Sequence, residues 1–120
     1  FIYVRQDILG FISNKDTTTV GCGKAGAGNK GAVCARFQLF NSSLCFVNSH
    51  LAAHKENIDN RNNDFNKITE KARFSVKTNG NSTKMDMHDA IFWMGDLNYR
   101  LNFANEDLGV VYQHIQKEDW

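Results

Sequence analysis

The chain predicts an α/β fold, and three observations carry that reading. Its first half is built from short runs of β-branched and aromatic residues broken by Gly, Asn, Asp and Ser. Its second half opens on a helical period, with Ile58, Phe65, Ile68 and Ala72 spaced by 7, 3 and 4. A continuous apolar run, Ala-Ile-Phe-Trp-Met at 90–94, then returns to strand character.

Taken in order, residues 1–5 read as a short apolar strand. Residues 8–13 and 17–20 read as two strands around Asn14-Lys15-Asp16, a turn signal. Residues 21–31 hold five glycines in eleven positions, which predicts a loop whose backbone can approach another group closely. Residues 32–40 alternate and predict a strand, Asn41-Ser42-Ser43 a turn, and 44–49 the second arm of a hairpin. Roughly 55–73 predicts an amphipathic helix whose polar face carries Glu56, Asp59, Asp64, Lys67, Glu70 and Lys71. Residues 75–87 are polar and read as a surface loop. The run at 90–94 predicts a strand buried on both faces. Asn105 predicts a helix cap, with Glu106 and Asp107 in the first turn and Leu108, Val111, Tyr112 and Ile115 as the buried stripe.

Composition narrows the function classes. The 120 residues give room for one domain or part of one. No stretch has the pattern of a signal peptide or the apolar length of a membrane span. Lys and Arg number 14 against 13 Asp and Glu, a net charge of +1, which argues against a generally basic nucleic-acid binder. The charge is unevenly placed. Between Thr17 and Lys55 there is no acidic residue, while Lys24, Lys30, Arg36, His50, His54 and Lys55 fall in that stretch. A locally positive surface there favours an anionic ligand. Three cysteines without a CxxC pair argue against a disulfide framework or a structural zinc site, and for a reducing, cytosolic compartment. Cys34 and Cys45 lie in apolar runs and read as core.

The strand at 44–49, the helix and the strand at 90–94 form a β-α-β unit. If the strands are parallel in one sheet, their carboxyl ends share an edge, where α/β proteins place ligands. Asn48-Ser49-His50 follows the first strand and Gly95-Asp96-Leu97-Asn98 the second. There Asp96 can orient and deprotonate a water, Asn98 can donate to a phosphate oxygen, and His50 can donate to charge building on a phosphoryl group. Taken alone, Gly95-Asp96 is more often a turn cap than a base. His54 would share a helical face with His50 if the helix began early, although two ligands do not make a zinc site. Gly28-Asn29-Lys30-Gly31 can cradle an anion with backbone N–H groups and the Lys30 charge, or be a flexible hairpin loop. It is not a P-loop, because Gly31 follows Lys30 and no helix follows. Gly21-Cys22-Gly23-Lys24-Ala25-Gly26 fits GxGxxG but precedes a strand, which weakens a dinucleotide reading. Arg61 and Arg100 read as structural, pairing with carboxylates or backbone carbonyls, Trp93 as core, and Tyr99 as core or pocket wall.

Together these motifs resemble one family. Gly28-Asn29-Lys30-Gly31-Ala32-Val33, Asn48-Ser49-His50-Leu51-Ala52-Ala53-His54, Arg61-Asn62-x-Asp64-Phe65, His88-Asp89 and Phe92-Trp93-Met94-Gly95-Asp96-Leu97-Asn98-Tyr99-Arg100 look like the inositol polyphosphate 5-phosphatases, most of all the synaptojanin-like branch. The resemblance implies part of a four-layer α/β sandwich, the superfold of DNase I and exonuclease III. It implies Mg²⁺-dependent hydrolysis of the 5-phosphate of phosphoinositides or soluble inositol polyphosphates, in the cytoplasm and peripherally at membranes, with no nucleic-acid partner. Carried over by residue, Asp96 activates the attacking water and is the candidate metal contact, Asn98 is its partner on the phosphate, and His50 meets the scissile phosphate. Asn29, Lys30 and His54 line the substrate side. The family's main Mg²⁺-binding Glu would lie upstream of Phe1, and a further essential His beyond Trp120. Residues 1–120 then correspond to the central part of one catalytic domain, incomplete at both ends. The alternatives are an endonuclease or exonuclease of the same superfold, and a non-catalytic phosphate-binding fragment.

Overall fold

The computed structural model describes residues 1–23, 28–75, 82–100 and 108–117. Three strands come first: β1 (Ile12–Gly21), β2 (Gly31–Leu39) and β3 (Ser42–His50). Helix α1 (Ile58–Lys71) crosses over, and the short strands β4 (Arg73–Ser75) and β5 (Ser82–Lys84) come next. Strand β6 (Ala90–Asp96) and helix α2 (Leu108–Gln116) complete the order. The main sheet runs β1-β2-β3-β6, while β4 and β5 pair separately. Its first three strands are antiparallel, and β6 joins β3 in parallel. The β-α-β expectation therefore holds. A crossover is what a parallel neighbour requires, and α1 supplies it.

Strand alternation gives the sheet two different faces. Ala32, Cys34, Cys45 and Val47 are buried on the face that shares a core with Ile68 and Ala72 of the α1 segment. Phe74 of β4 and Met85 close the same core. On the other face, Phe37, Phe46 and Phe92 stack across three strands at centroid distances of 5.4 and 5.0 Å. At the start of the parallel pair, Asp89 Oδ2 accepts from the N–H and hydroxyl of Ser43 at 2.7 and 2.8 Å. Those two bonds hold the Asp89 carboxyl below its usual range.

Several local expectations change. Residues 1–5 form no strand, and Phe1 and Tyr3 are exposed; apolar composition without a partner strand does not make one. Residues 6–11 form a 3₁₀ turn, and residues 12–21 form one continuous strand where two were expected. Asn14 has φ 50°, and the pairing with β2 slips between Ser13 and Asp16, so the supposed turn is a bulge. The hairpin turns at Phe40 and Asn41, one position earlier than expected. Part of the expected loop at 75–87 is ordered as β5 and a 3₁₀ turn at Met85–Met87.

The run at 90–94 is not buried on both faces. β6 is an edge strand among the described residues, and Ile91, Phe92 and Met94 are exposed. In α2, Tyr112 and Ile115 are exposed, so the expected stripe is not buried. Its proposed cap (Asn105, Glu106 and Asp107) and the Leu108 side chain lie outside the described residues, as do loop positions 24–27. No described helix is long and apolar enough to cross a membrane.

Candidate active site

The site begins with strand register. β3 and β6 run side by side from Leu44 opposite Ala90 to His50 opposite Asp96. On the other side of β3, His50 stands opposite Gly31 of β2. Two glycines make this convergence of strand ends possible. Gly95 has φ 122°, and a Cβ there would lie 2.1 Å from the Ser49 carbonyl oxygen. Gly31 has φ 148°, and a Cβ there would lie 2.2 Å from the Val20 carbonyl oxygen. Neither position has room for a side chain.

At this edge Asp96 Oδ2 lies 3.5 Å from His50 Nε2. The other carboxylate oxygen, Oδ1, accepts from the Asn98 backbone N–H at 3.2 Å. Lys30 Nζ lies 2.5 Å from the same His50 Nε2. A lysine ammonium has donors only, so in this contact the imidazole nitrogen is the acceptor. Asn29, Lys30, Asn48, His50 and Asp96 line an open cleft of about 640 Å³. Four of the residues singled out from sequence thus meet in one place.

His54 takes a different position. It does not share a helical face with His50, because α1 starts only at Ile58 and His54 has φ 75°. It lines a neighbouring cleft of about 520 Å³, and Asn29 and Lys30 wall both clefts. Asn98 does not line the first cleft. Its Nδ2 donates to the Leu51 carbonyl at 3.0 Å, tying the loop after β6 to the loop after β3.

Side chains brace the loop between β3 and α1 along its length. Arg61 Nη1 donates to the carbonyls of Ala52 and His54, and Nη2 to that of Lys55. Asn57 Nδ2 donates to Ala53, and Asp64 Oδ2 accepts from the Ala52 N–H at 2.9 Å. The expectation that Arg61 pairs with carboxylates or backbone carbonyls is met by the carbonyls. Sequence reasoning missed the roles of Asn57 and Asp64 and placed Asp64 on a purely polar face. The burial of Arg61 had a signal, since it occupies a 3-4 slot between Ile58 and Phe65 in the apolar stripe. Arg61 is 1% exposed.

Cys22 lines the second cleft, and its Sγ donates to the Asp64 carbonyl at 3.7 Å. Burial, and then the Asp64 charge, push this thiol up. Trp93 is half-buried, donates Nε1–H to Ser49 Oγ at 2.8 Å and stacks on Phe65. Tyr99 is a cavity wall, and its hydroxyl donates to Asn62 Oδ1 at 2.7 Å.

The donor set bears on metal binding. Among the described residues no three His, Cys, Asp or Glu cluster as a metal site. Among the described residues, Asp96 is the one carboxylate lining the first cleft. Mg²⁺ keeps several waters and uses one or two carboxylates plus substrate phosphates, so these residues fit part of such a site.

Known proteins place this edge in context. The family model described as "Endonuclease/Exonuclease/phosphatase family 2" matches residues 1–120. The type II inositol 1,4,5-trisphosphate 5-phosphatase of Mus musculus is 42% identical over 119 residues, covering 98% of this chain and 12% of that protein. Synaptojanin-2 of Homo sapiens is 40% identical over 121 residues, covering all of this chain and 8% of its own length. The chain thus spans about a tenth of the curated relatives it matches. Among solved structures, the inositol polyphosphate 5-phosphatase domain of SPsynaptojanin, in complex with inositol (1,4)-bisphosphate and calcium ion, superposes with a TM-score of 0.72 at 35% identity. That match covers 94% of this chain and 32% of the domain structure. The mixed sheet is accordingly part of a DNase I-like α/β fold. The chain therefore belongs to the Endonuclease/Exonuclease/phosphatase family 2, within which it is similar to the inositol 5-phosphatases and synaptojanins.

Proposed function

We propose that this chain is the central part of an inositol polyphosphate 5-phosphatase catalytic domain. Its reaction is hydrolysis of the 5-phosphate of a phosphoinositide or a soluble inositol polyphosphate, in the cytoplasm and peripherally at membranes. The observation that carries the proposal is the pairing of His50 with Asp96 across the parallel strands, with Lys30 on the same imidazole nitrogen.

The geometry suits phosphoryl transfer to water. Asp96 is oriented by the Asn98 N–H on Oδ1, which leaves Oδ2 facing the cleft as the proton acceptor for a water. Lys30 can exchange the His50 nitrogen for a phosphate oxygen without leaving the cleft wall. Asn29 and Asn48 add carboxamide donors at the same wall. Asp96 would be this chain's contact to Mg²⁺, together with the substrate phosphate and a Glu upstream of Phe1. The metal would supply charge neutralisation on the transferring group.

Two features favour a monoester substrate over nucleic acid. Net charge is only +1, and among the described residues the cleft carries just Lys30 and His50 as basic residues, enough for one phosphate but not for a nucleic-acid backbone. The test is turnover by the full-length protein that carries this chain. Inorganic phosphate should be released from a 5-phosphorylated inositide with Mg²⁺ and not with EDTA, while DNA stays intact. Cleavage of DNA without phosphate release would establish the nuclease alternative. Headgroup binding with neither activity would establish a phosphate-binding module.

A further inference from the structure

We propose that Arg61 is a positioning residue for the substrate side of the cleft, acting through His54. The identity of the ligand rests on the 5-phosphatase reading, whereas the positioning itself rests on the contacts that Arg61 makes.

Arg61 fills a place where its charge does nothing for packing. It is buried in the apolar stripe of α1, yet it forms no ion pair among the described residues. A buried guanidinium without a carboxylate is costly, and an apolar side chain of similar volume would suit the slot better. What the guanidinium does instead is grip backbone. Its two terminal nitrogens reach the carbonyls of Ala52, His54 and Lys55, while Nε has no partner. All of its hydrogen bonding is aimed at one loop.

That loop contains the strained residue. His54 has φ 75°, a region that residues with side chains rarely occupy and that persists only where surroundings hold it. Arg61 holds the peptide on its carboxyl side directly. The conformation brings His54 to the wall of the cleft it shares with Asn29 and Lys30. The same guanidinium lies 5.5 Å from the Tyr99 ring centroid. Tyr99 follows Asn98, whose side chain grips Leu51 in the same loop. Arg61 therefore ties the loop after β3 to the loop after β6. His50 and Asp96 are set by strand register instead, and do not depend on it. Arg61 should accordingly govern how the substrate is held more than how fast it reacts.

The experiment uses the full-length protein and three variants: Arg61→Lys, His54→Ala and the double variant. Lysine keeps the charge and loses the planar fork. The readouts are kcat, KM and, separately, calorimetric affinity for inositol 1,4-bisphosphate. Arg61→Lys should weaken affinity and raise KM on the order of tenfold, with kcat within about threefold. His54→Ala should do the same, and the double variant should be no worse than His54→Ala alone. Additive losses, or a fall in kcat with KM unchanged, would overturn the proposal. If Arg61→Lys does not fold, Arg61→Lys with His54→Gly decides, because glycine takes a positive φ without strain. Recovery of folding supports the proposal; failure of both makes Arg61 a general core brace and overturns it. A wild type that binds the bisphosphate but does not turn over removes the phosphatase reading while leaving the affinity test of Arg61 intact. A wild type that neither binds nor turns over overturns both.

Discussion

At the scale of single residues, Asp96 is the side chain on which the proposed chemistry depends. Asp96→Asn keeps its shape and the acceptor for the Asn98 N–H, and removes the proton acceptor. In the full-length protein, turnover should fall about 10²- to 10⁴-fold, the usual cost of a lost general base. Headgroup affinity should survive, because Lys30, His50 and Asn29 remain at the cleft wall. Melting temperature should barely move, since the Asp96 side chain is largely exposed. A loss of turnover that merely tracks a loss of stability would make Asp96 a turn residue. Cys34 and Cys45 support a second residue-scale expectation. Both are buried, and burial raises each thiol from 9.0 to about 11. In the unfolded chain these thiols ionise first, so the stabilisation is complete below about pH 9 and is lost as pH rises towards 11. Denaturant midpoints of the full-length protein should fall over that window, and less steeply in the Cys34→Ala, Cys45→Ala variant. Equal slopes would show that these thiols do not drive the loss.

At the scale of elements, Gly95 is the constraint on β6. A Cβ at this position would lie closest to backbone of the neighbouring strand, with the Asn48 side-chain oxygen at 2.8 Å as well. Gly95→Ala should cost about 2–4 kcal/mol, in the upper range of single substitutions. It should also separate Asp96 from His50, so that turnover falls even where the fold persists. Unchanged melting and unchanged turnover together would contradict the close approach. The strand–helix–strand order was legible because the apolar period changes from 2 to the helical spacing and then to the continuous run at 90–94, and the shared edge of β3 and β6 followed from a parallel crossover. Other features were not legible. Asn14 signals a turn or a bulge equally well, and only the partner strand decides. An apolar run such as 90–94 says that something can cover it, not that described residues do. That Arg61 pairs with carboxylates or backbone carbonyls was legible; which carbonyls it grips was not, because backbone acceptors are present at every position.

At the scale of the whole molecule, the main sheet is covered unevenly. α1 and the β4–β5 pair close one face, while Phe92, Met94 and Val33 remain exposed on the other. The radius of gyration is 18.3 Å, against about 14 Å for a compact domain of this length. The 120 residues expressed alone should therefore bind a hydrophobic dye and associate as concentration rises. They should release no phosphate from a 5-phosphorylated inositide, since among the described residues the cleft holds a single carboxylate. A monomer with a sharp thermal transition and measurable turnover would refute both statements.

The position of His50 between two strands also sets an order of events in time. Its contact with Lys30 closes within a local hairpin, across 20 residues. Its contact with Asp96 waits for the helical crossover, across 46 residues. Hairpins form in about 1–10 μs, whereas parallel pairings over long separations are slower. On a ribosome adding about 5–20 residues per second, roughly 2–9 s pass between synthesis of His50 and of Asp96. A nascent chain thus gains the cation and imidazole that attract phosphate before it gains the carboxylate that would activate the attacking water. Arrested chains ending shortly before Asp96 should retain inorganic phosphate only weakly, through Lys30 and His50, and never hydrolyse an ester.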